Sequence, residues 1–139
     1  MLDTPLSSAV DVLKALGHPT RLRIVSLLRD GPLSVCQIGA VLDTAPSTVS
    51  GHLLDLRRAG IVAERRQGKW VFYRLGAESG ARAVLKAAFA ALDGDTQVGE
   101  DRSIAGVLRA QSAGAACAAT RPDRARRPPR RASADTITA

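Results

Sequence analysis

The stretch "APSTVSGHLLDLRRAGIVAERRQGKWVFYR", residues 45–74, changes its hydrophobic period halfway along. From Pro46 to Arg58, apolar side chains recur at Val49, Leu53 and Leu56, spacings of four and three that share one face of a helix. Proline is at home in the first turn of such a helix, and Gly60 ends it. Beyond Gly60 the pattern alternates. Val71, Tyr73 and Leu75 fall on one side of a second arm, with Trp70, Phe72 and Arg74 on the other. Gln67-Gly68 supplies a turn in which glycine takes positive φ, so a two-stranded hairpin is predicted directly after the helix. Six cations (Arg57, Arg58, Arg65, Arg66, Lys69, Arg74) stand against Asp55 and Glu64 across this stretch, a net of +4. Ser47, Thr48 and Ser50 lie at the start of the helix, where short hydroxyls and unpaired backbone N–H groups can hold phosphates. Hydroxyls that merely capped the helix would not account for a basic hairpin immediately downstream. The combination predicts a winged helix-turn-helix, with the helix in the major groove and the hairpin along the backbone.

Working upstream, Ser34 opens a preceding helix whose buried stripe is Val35, Ile38, Val41 and Leu42, with a short break at Asp43-Thr44. Thr20 is placed to cap a helix carrying Leu22, Val25 and Leu28 on one face, widened by Ile24 and Leu27 and stopped by Asp30-Gly31-Pro32. Leu6, Val10, Leu13 and Leu16 mark a first helix, closed by Gly17. Downstream, residues 78–93 place Leu85, Ala88, Phe89 and Leu92 on one face. Ile104, Val107 and Leu108 predict a further, weaker helix, because Gly99 and Gly106 interrupt it. Beyond Gln111 the chain turns Ala-, Arg- and Pro-rich and has almost nothing to bury, so disorder is expected. The expected fold is mainly α with a β-hairpin: a winged helix-turn-helix DNA-binding and dimerisation domain over residues 1–110, then a flexible tail over 111–139. The apolar faces of the first helix and of the Leu85, Phe89, Leu92 helix exceed what one small protomer needs, which predicts a homodimer.

Composition narrows the function. The 139 residues fit one domain with tails, and with aromatics at 3% the core must come from aliphatic residues on helices. The net charge of +7 points to a polyanionic partner, although residues 121–139 alone carry +4 of it. Two cysteines, Cys36 and Cys117, make no disulfide framework or zinc knuckle, and a reducing cytoplasm is the simplest setting. Asp3 stands where a secretory leader would be basic, and no apolar run approaches the roughly 20 residues that span a bilayer, so neither secretion nor a membrane partner is expected. No nucleophile–base pair, phosphate loop or carboxylate cluster is apparent, so an enzyme is not expected. His18, beside Pro19, shows no identifiable partner.

Residues 13–75, and within them "ALGHPTRLRI", "STVSGHLLDLRRAGIV" and "GKWVFYRL", resemble the ArsR/SmtB family of homodimeric bacterial repressors that release DNA on binding metal or metalloid. The DNA-contact candidates are Ser47, Thr48, Ser50, Gly51, His52, Arg57, Arg65, Arg66, Gln67 and Lys69. His52 fits either a hydrogen bond within the helix pair or a phosphate contact. Two positions depart from the family. Gly51 stands where relatives usually carry Arg, Lys or His, and Ala45 where a Ser usually caps the helix. In arsenic-sensing relatives the segment after the second helix reads Glu-Leu-Cys-Val-Cys-Asp-Leu-Cys; "PLSVCQIG" keeps only Cys36, with Ser34 and Gly39 in place of the other two thiols. Family zinc sensors place Asp and His ligands on the dimerising helix, yet residues 78–93 contain no His. The remaining soft ligand is Cys117. Cys36 and Cys117 therefore stand as ligands for trivalent arsenic or antimony, completed by a solvent or thiol ligand. As alternatives, they serve a thiol switch driven by oxidation or reactive sulfur, or Cys36 packs as a small apolar side chain. A constitutive DNA-binding protein without an effector is a further alternative.

Overall fold

Nine elements follow one another in the computed structural model, which describes residues 5–76 and 79–111: α1 (Pro5–Leu16), α2 (Pro19–Leu28), β1 (Leu33–Ser34), α3 (Val35–Leu42), α4 (Pro46–Arg58), β2 (Val62–Gln67), β3 (Trp70–Leu75), α5 (Ser79–Ala91) and α6 (Thr96–Ala110). The expected tail beyond Gln111, with Cys117 in it, lies outside the described residues.

The predicted stripes build the core. Ile24, Leu27, Ile38, Val49, Leu53, Leu56 and Ile61 are fully buried together with Leu33. Each large aliphatic side chain withdrawn in this way contributes about 1.5–3 kcal/mol. On α1 the stripe is only partly covered, as expected of a face that exceeds one protomer's need. Leu16 is buried with Val12 and Ala15, but Leu6 and Leu13 remain 76% and 57% exposed and Val10 is exposed beside them. One protomer thus covers only one side of this helix.

The hairpin belongs to a three-stranded antiparallel sheet of order β1-β3-β2, with Leu33 opposite Tyr73 and Val62 opposite Leu75. Two residues of β1 carry no readable period, so the sequence shows only the hairpin. Gln67 pairs with Trp70, which moves the loop one residue on from Gln67-Gly68 to Gly68-Lys69, and Gly68 at φ +59° supplies the left-handed first position of a two-residue loop.

Two helix starts also differ. His18, not Thr20, is the N-cap of α2: its Nδ1 accepts the Thr20 backbone N–H at 3.1 Å, and Pro19 occupies the first turn. The weak last helix is a full 15 residues, capped by Asp95, whose carboxylate accepts the Val98 N–H. Its inward residues are Val98, Asp101 and Ala105, whereas Ile104 and Val107 face solvent and Leu108 packs at the core's edge. The cost of Gly99 and Gly106 is offset by side-chain bonds to α2 and α3. Arg23 donates twice to Asp101, at 2.7 and 2.9 Å, and Arg102 donates twice to Asp30. Arg109 donates to the carbonyls of Leu27 and Gly31, and Gln37 Nε2 to that of Leu108.

Candidate nucleic-acid interface

The α3–α4 bend sets the direction of the reading helix. Ser34 caps α3 reciprocally with Gln37, each side chain bonding the other's backbone N–H. At the far end Asp43 adopts φ 50°, and the N–H groups of Asp43 and Thr44 both return to the Gly39 carbonyl. A Cβ on residue 39 would lie 2.8 Å from the Thr44 carbonyl oxygen, so glycine is what lets α3 and the bend approach. Two of the three positions that hold thiols in arsenic-sensing relatives are therefore occupied here by a cap and a close contact.

Helix α4 starts at Ala45 without a side-chain cap, and Pro46 fills its first turn. Val49 anchors that turn in the core, while Ser47, Thr48, Ser50 and Gly51 are exposed. Nothing lies within 4 Å of a Cβ built on Gly51, so the surface there is open. His52 is turned inward to α2: Arg21 Nε donates to His52 Nδ1 at 3.2 Å, and the His18 ring lies 4.7 Å away, centroid to centroid. Accepting on Nδ1 places the proton of neutral His52 on Nε2, the remaining donor. Burial, then His18 and Arg21, hold its pKa below the ordinary imidazole value, against an opposing pull from Asp55. Arg21 also pairs with Asp55 at 2.5 Å, so α2 and α4 share one polar cluster.

On the hairpin, Arg65, Arg66, Gln67 and Lys69 are exposed. Successive residues of a strand point to opposite faces, so Arg65 and Gln67 share a face with Phe72 and Trp70, while Arg66 shares the other with Glu64 and Val71. Lys69 sits over the Trp70 ring at 5.1 Å, and Arg57 of α4 reaches Glu64 at 3.3 Å, tying the reading helix to the hairpin. Burial and the neighbouring Glu64 raise the Tyr73 pKa. Cys36 is half-buried in the first turn of α3. Among the described residues, no cluster of three or more His, Cys, Asp or Glu suits a metal ion.

A bend between two helices, a second helix with an exposed start and a basic hairpin behind it define a winged helix-turn-helix regulator. The family model "Bacterial regulatory protein, arsR family" matches residues 18–64. Similar proteins include the Arsenic resistance transcriptional regulator ArsR1 of Pseudomonas putida, 44% identical over 48% of this chain and 53% of its own length. The chain thus spans about half of that relative. Among solved structures, reduced HlyU from Vibrio cholerae superposes with a TM-score of 0.57 at 33% identity, over 63% of this chain and 92% of HlyU. The homodimeric winged helix-turn-helix domain Mb0332 of Mycobacterium bovis, a possible ArsR-family regulator, does so with 0.55 at 33%, over 63% and 82%. The chain belongs to the ArsR family of bacterial regulatory proteins, which are transcriptional regulators and not enzymes. No helix among the described residues is long and apolar enough to cross a membrane.

Proposed function

We propose that the chain acts as a cytoplasmic homodimeric repressor that holds double-stranded operator DNA with Ser47, Thr48, Ser50 and Gly51 of α4, with Arg57, and with Arg65, Arg66, Gln67 and Lys69 of the hairpin, while His52 serves the contact between α2 and α4. The observation that carries this reading is the exposed, cation-rich surface running from the start of α4 to the hairpin loop, bridged by Arg57–Glu64. Dimerisation is supported by the uncovered Leu6, Val10 and Leu13 on α1 and by the homodimeric relative. A dimer reads half-sites about 34–36 Å apart, so anything that tilts α3 and α4 mismatches both. The domain extends over residues 1–110, and the Arg-rich segment of 111–139 adds affinity that is independent of sequence and sensitive to salt.

The effector acts at Cys36 and Cys117. Trivalent arsenic or antimony is the first reading, supported by the arsenic-resistance relative and by thiolate affinity for thiophilic ions. In that site Cys36 and Cys117 would bind as thiolates, completed by a solvent or thiol ligand. The second reading is a thiol switch responsive to oxidation or reactive sulfur, which the same two thiols would serve. Either event bears on α3 beside Gln37, whose amide already grips α6, and a coupling of about 1–3 kcal/mol suffices to weaken DNA binding severalfold or more.

Gel-shift titrations on the DNA upstream of the chain's own gene, with arsenite, antimonite, zinc, cadmium and peroxide compared, test the assignment. Release by arsenite and antimonite at lowest concentration supports the first reading, and release by peroxide the second. Unchanged release by arsenite and by peroxide in Cys36→Ser and Cys117→Ser variants contradicts both.

A further inference from the structure

A second concave site lies away from Cys36 and α4. Between the end of α2, the base of the hairpin and α5, a cavity of about 750 Å³ is walled by Arg29, Arg74, Arg82 and Lys86 against one carboxylate, Asp93. Its floor is apolar, made by Leu75, Leu85 and Phe89; Leu85 and Phe89 are not surplus as the sequence suggests but pack into the protomer's own core. The volume is that of a small-molecule pocket, and convergent polar groups over an apolar base are the usual makeup of one.

Arg29, Arg74 and Lys86 make no ion pair among the described residues, whereas Arg21, Arg23, Arg57 and Arg102 all do. The Arg29 guanidinium is held 4.4 Å over the Phe89 ring, which fixes a planar donor above an aromatic surface. Cations lining one concavity favour an anion between them. The strand register puts Ala63 and Arg74 on the face carrying Arg65 and Gln67, and Arg74 also lines a smaller adjoining notch with those two residues and Phe72. A DNA phosphate needs cations but no apolar floor; a carboxylate or phosphate borne on a flat apolar body uses both.

We propose that this cavity binds a small organic anion whose acidic group meets Arg29, Arg74 and Lys86 and whose flat apolar portion lies on Leu75, Leu85 and Phe89. The ligand spans the hairpin base and α5, so the site is an effector position independent of the cysteines.

The test is a titration of the ¹⁵N-labelled full chain with 2-naphthoate, followed by amide shifts, beside its neutral counterpart 2-naphthalenemethanol. Saturable shifts are expected at Leu75, Gly76, Lys86, Phe89 and Ala90, with the alcohol roughly tenfold weaker or more. Lys86→Glu and Arg29→Gln, both at exposed positions, should each weaken naphthoate by roughly tenfold with the remaining spectrum unchanged. Shifts centred instead on Leu6 and Leu13 of α1, equal binding of the alcohol, or undiminished binding by both variants would overturn the proposal. Displacement of naphthoate by a stoichiometric duplex of unrelated sequence would assign the groove to the DNA backbone and overturn it equally.

Discussion

Two regions of this molecule use arginine and acidic or hydroxyl side chains in opposite ways. Along α6, polar groups are spent inward: Asp101 is 1% exposed, gripped by Arg23 on two oxygens and by Gln97, and Arg109 is committed to two carbonyls. Along α4 and the hairpin, Ser47, Thr48, Ser50, Arg65 and Lys69 are exposed, and none of them joins an ion pair among the described residues. Charge that is buried and paired holds the helices in place. Charge left in water, on a surface whose apolar anchors are Val49, Leu53 and Leu56, remains available to a partner.

The contrast is broken most severely at the seam. Arg23→Ala leaves the Asp101 carboxylate buried with Gln97 as its remaining side-chain donor, and urea unfolding is expected to show a loss of about 3 kcal/mol. A loss below about 0.5 kcal/mol would mean that α6 is merely laid on the domain. On the opposite region, Arg65→Ala with Lys69→Ala should leave unfolding within about 0.5 kcal/mol of the parent. The same pair should weaken duplex binding roughly tenfold and flatten its log–log salt slope by about 0.9 per lost phosphate contact, as read by fluorescence anisotropy.

Gly51→Ala acts within the exposed region, on the reading helix. The position is mid-helix and open, so the methyl group meets nothing, and a gain of about 0.5–1 kcal/mol in unfolding free energy is expected. The smallest effect concerns the polar cluster between the two regions. His52, faced by His18 and Arg21 from the α2 side and by Asp55 on its own helix, has a pKa held below the ordinary 6.5. The unfolded chain therefore takes up a proton that the folded chain resists. Its contribution to stability is complete above 6.5, falls as the pH drops below that value and levels off beneath the folded pKa. His52→Gln should flatten this part of the stability–pH curve measured between pH 7 and 5.

How far the sequence revealed this depends on whether a signal is local. Val49, Leu53 and Leu56 on α4 and the alternation from Trp70 to Leu75 are periodic, so the reading helix and hairpin were legible to within a residue at the loop. The capping box Ser34–Gln37 is also written locally, although only its serine was singled out. Helix α6 was not legible in the same way. Two glycines lower its propensity, and what holds it is a carboxylate at 101 meeting a guanidinium 78 positions earlier, a pairing that no period encodes. His18 was missed for a related reason: its ring reaches His52 on another helix, and its role as the α2 cap is one that Thr20 resembled more closely by residue type.

Whether the α4–hairpin surface or the α6 seam meets DNA is decided by amide hydrogen exchange of the full chain with and without a bound duplex from upstream of its own gene. Slowed exchange over residues 47–52 and 65–69 and unchanged exchange over 96–110 are expected. Protection centred on 96–110, or a stable complex that leaves both of the first two segments unprotected, would contradict binding through α4 and the hairpin.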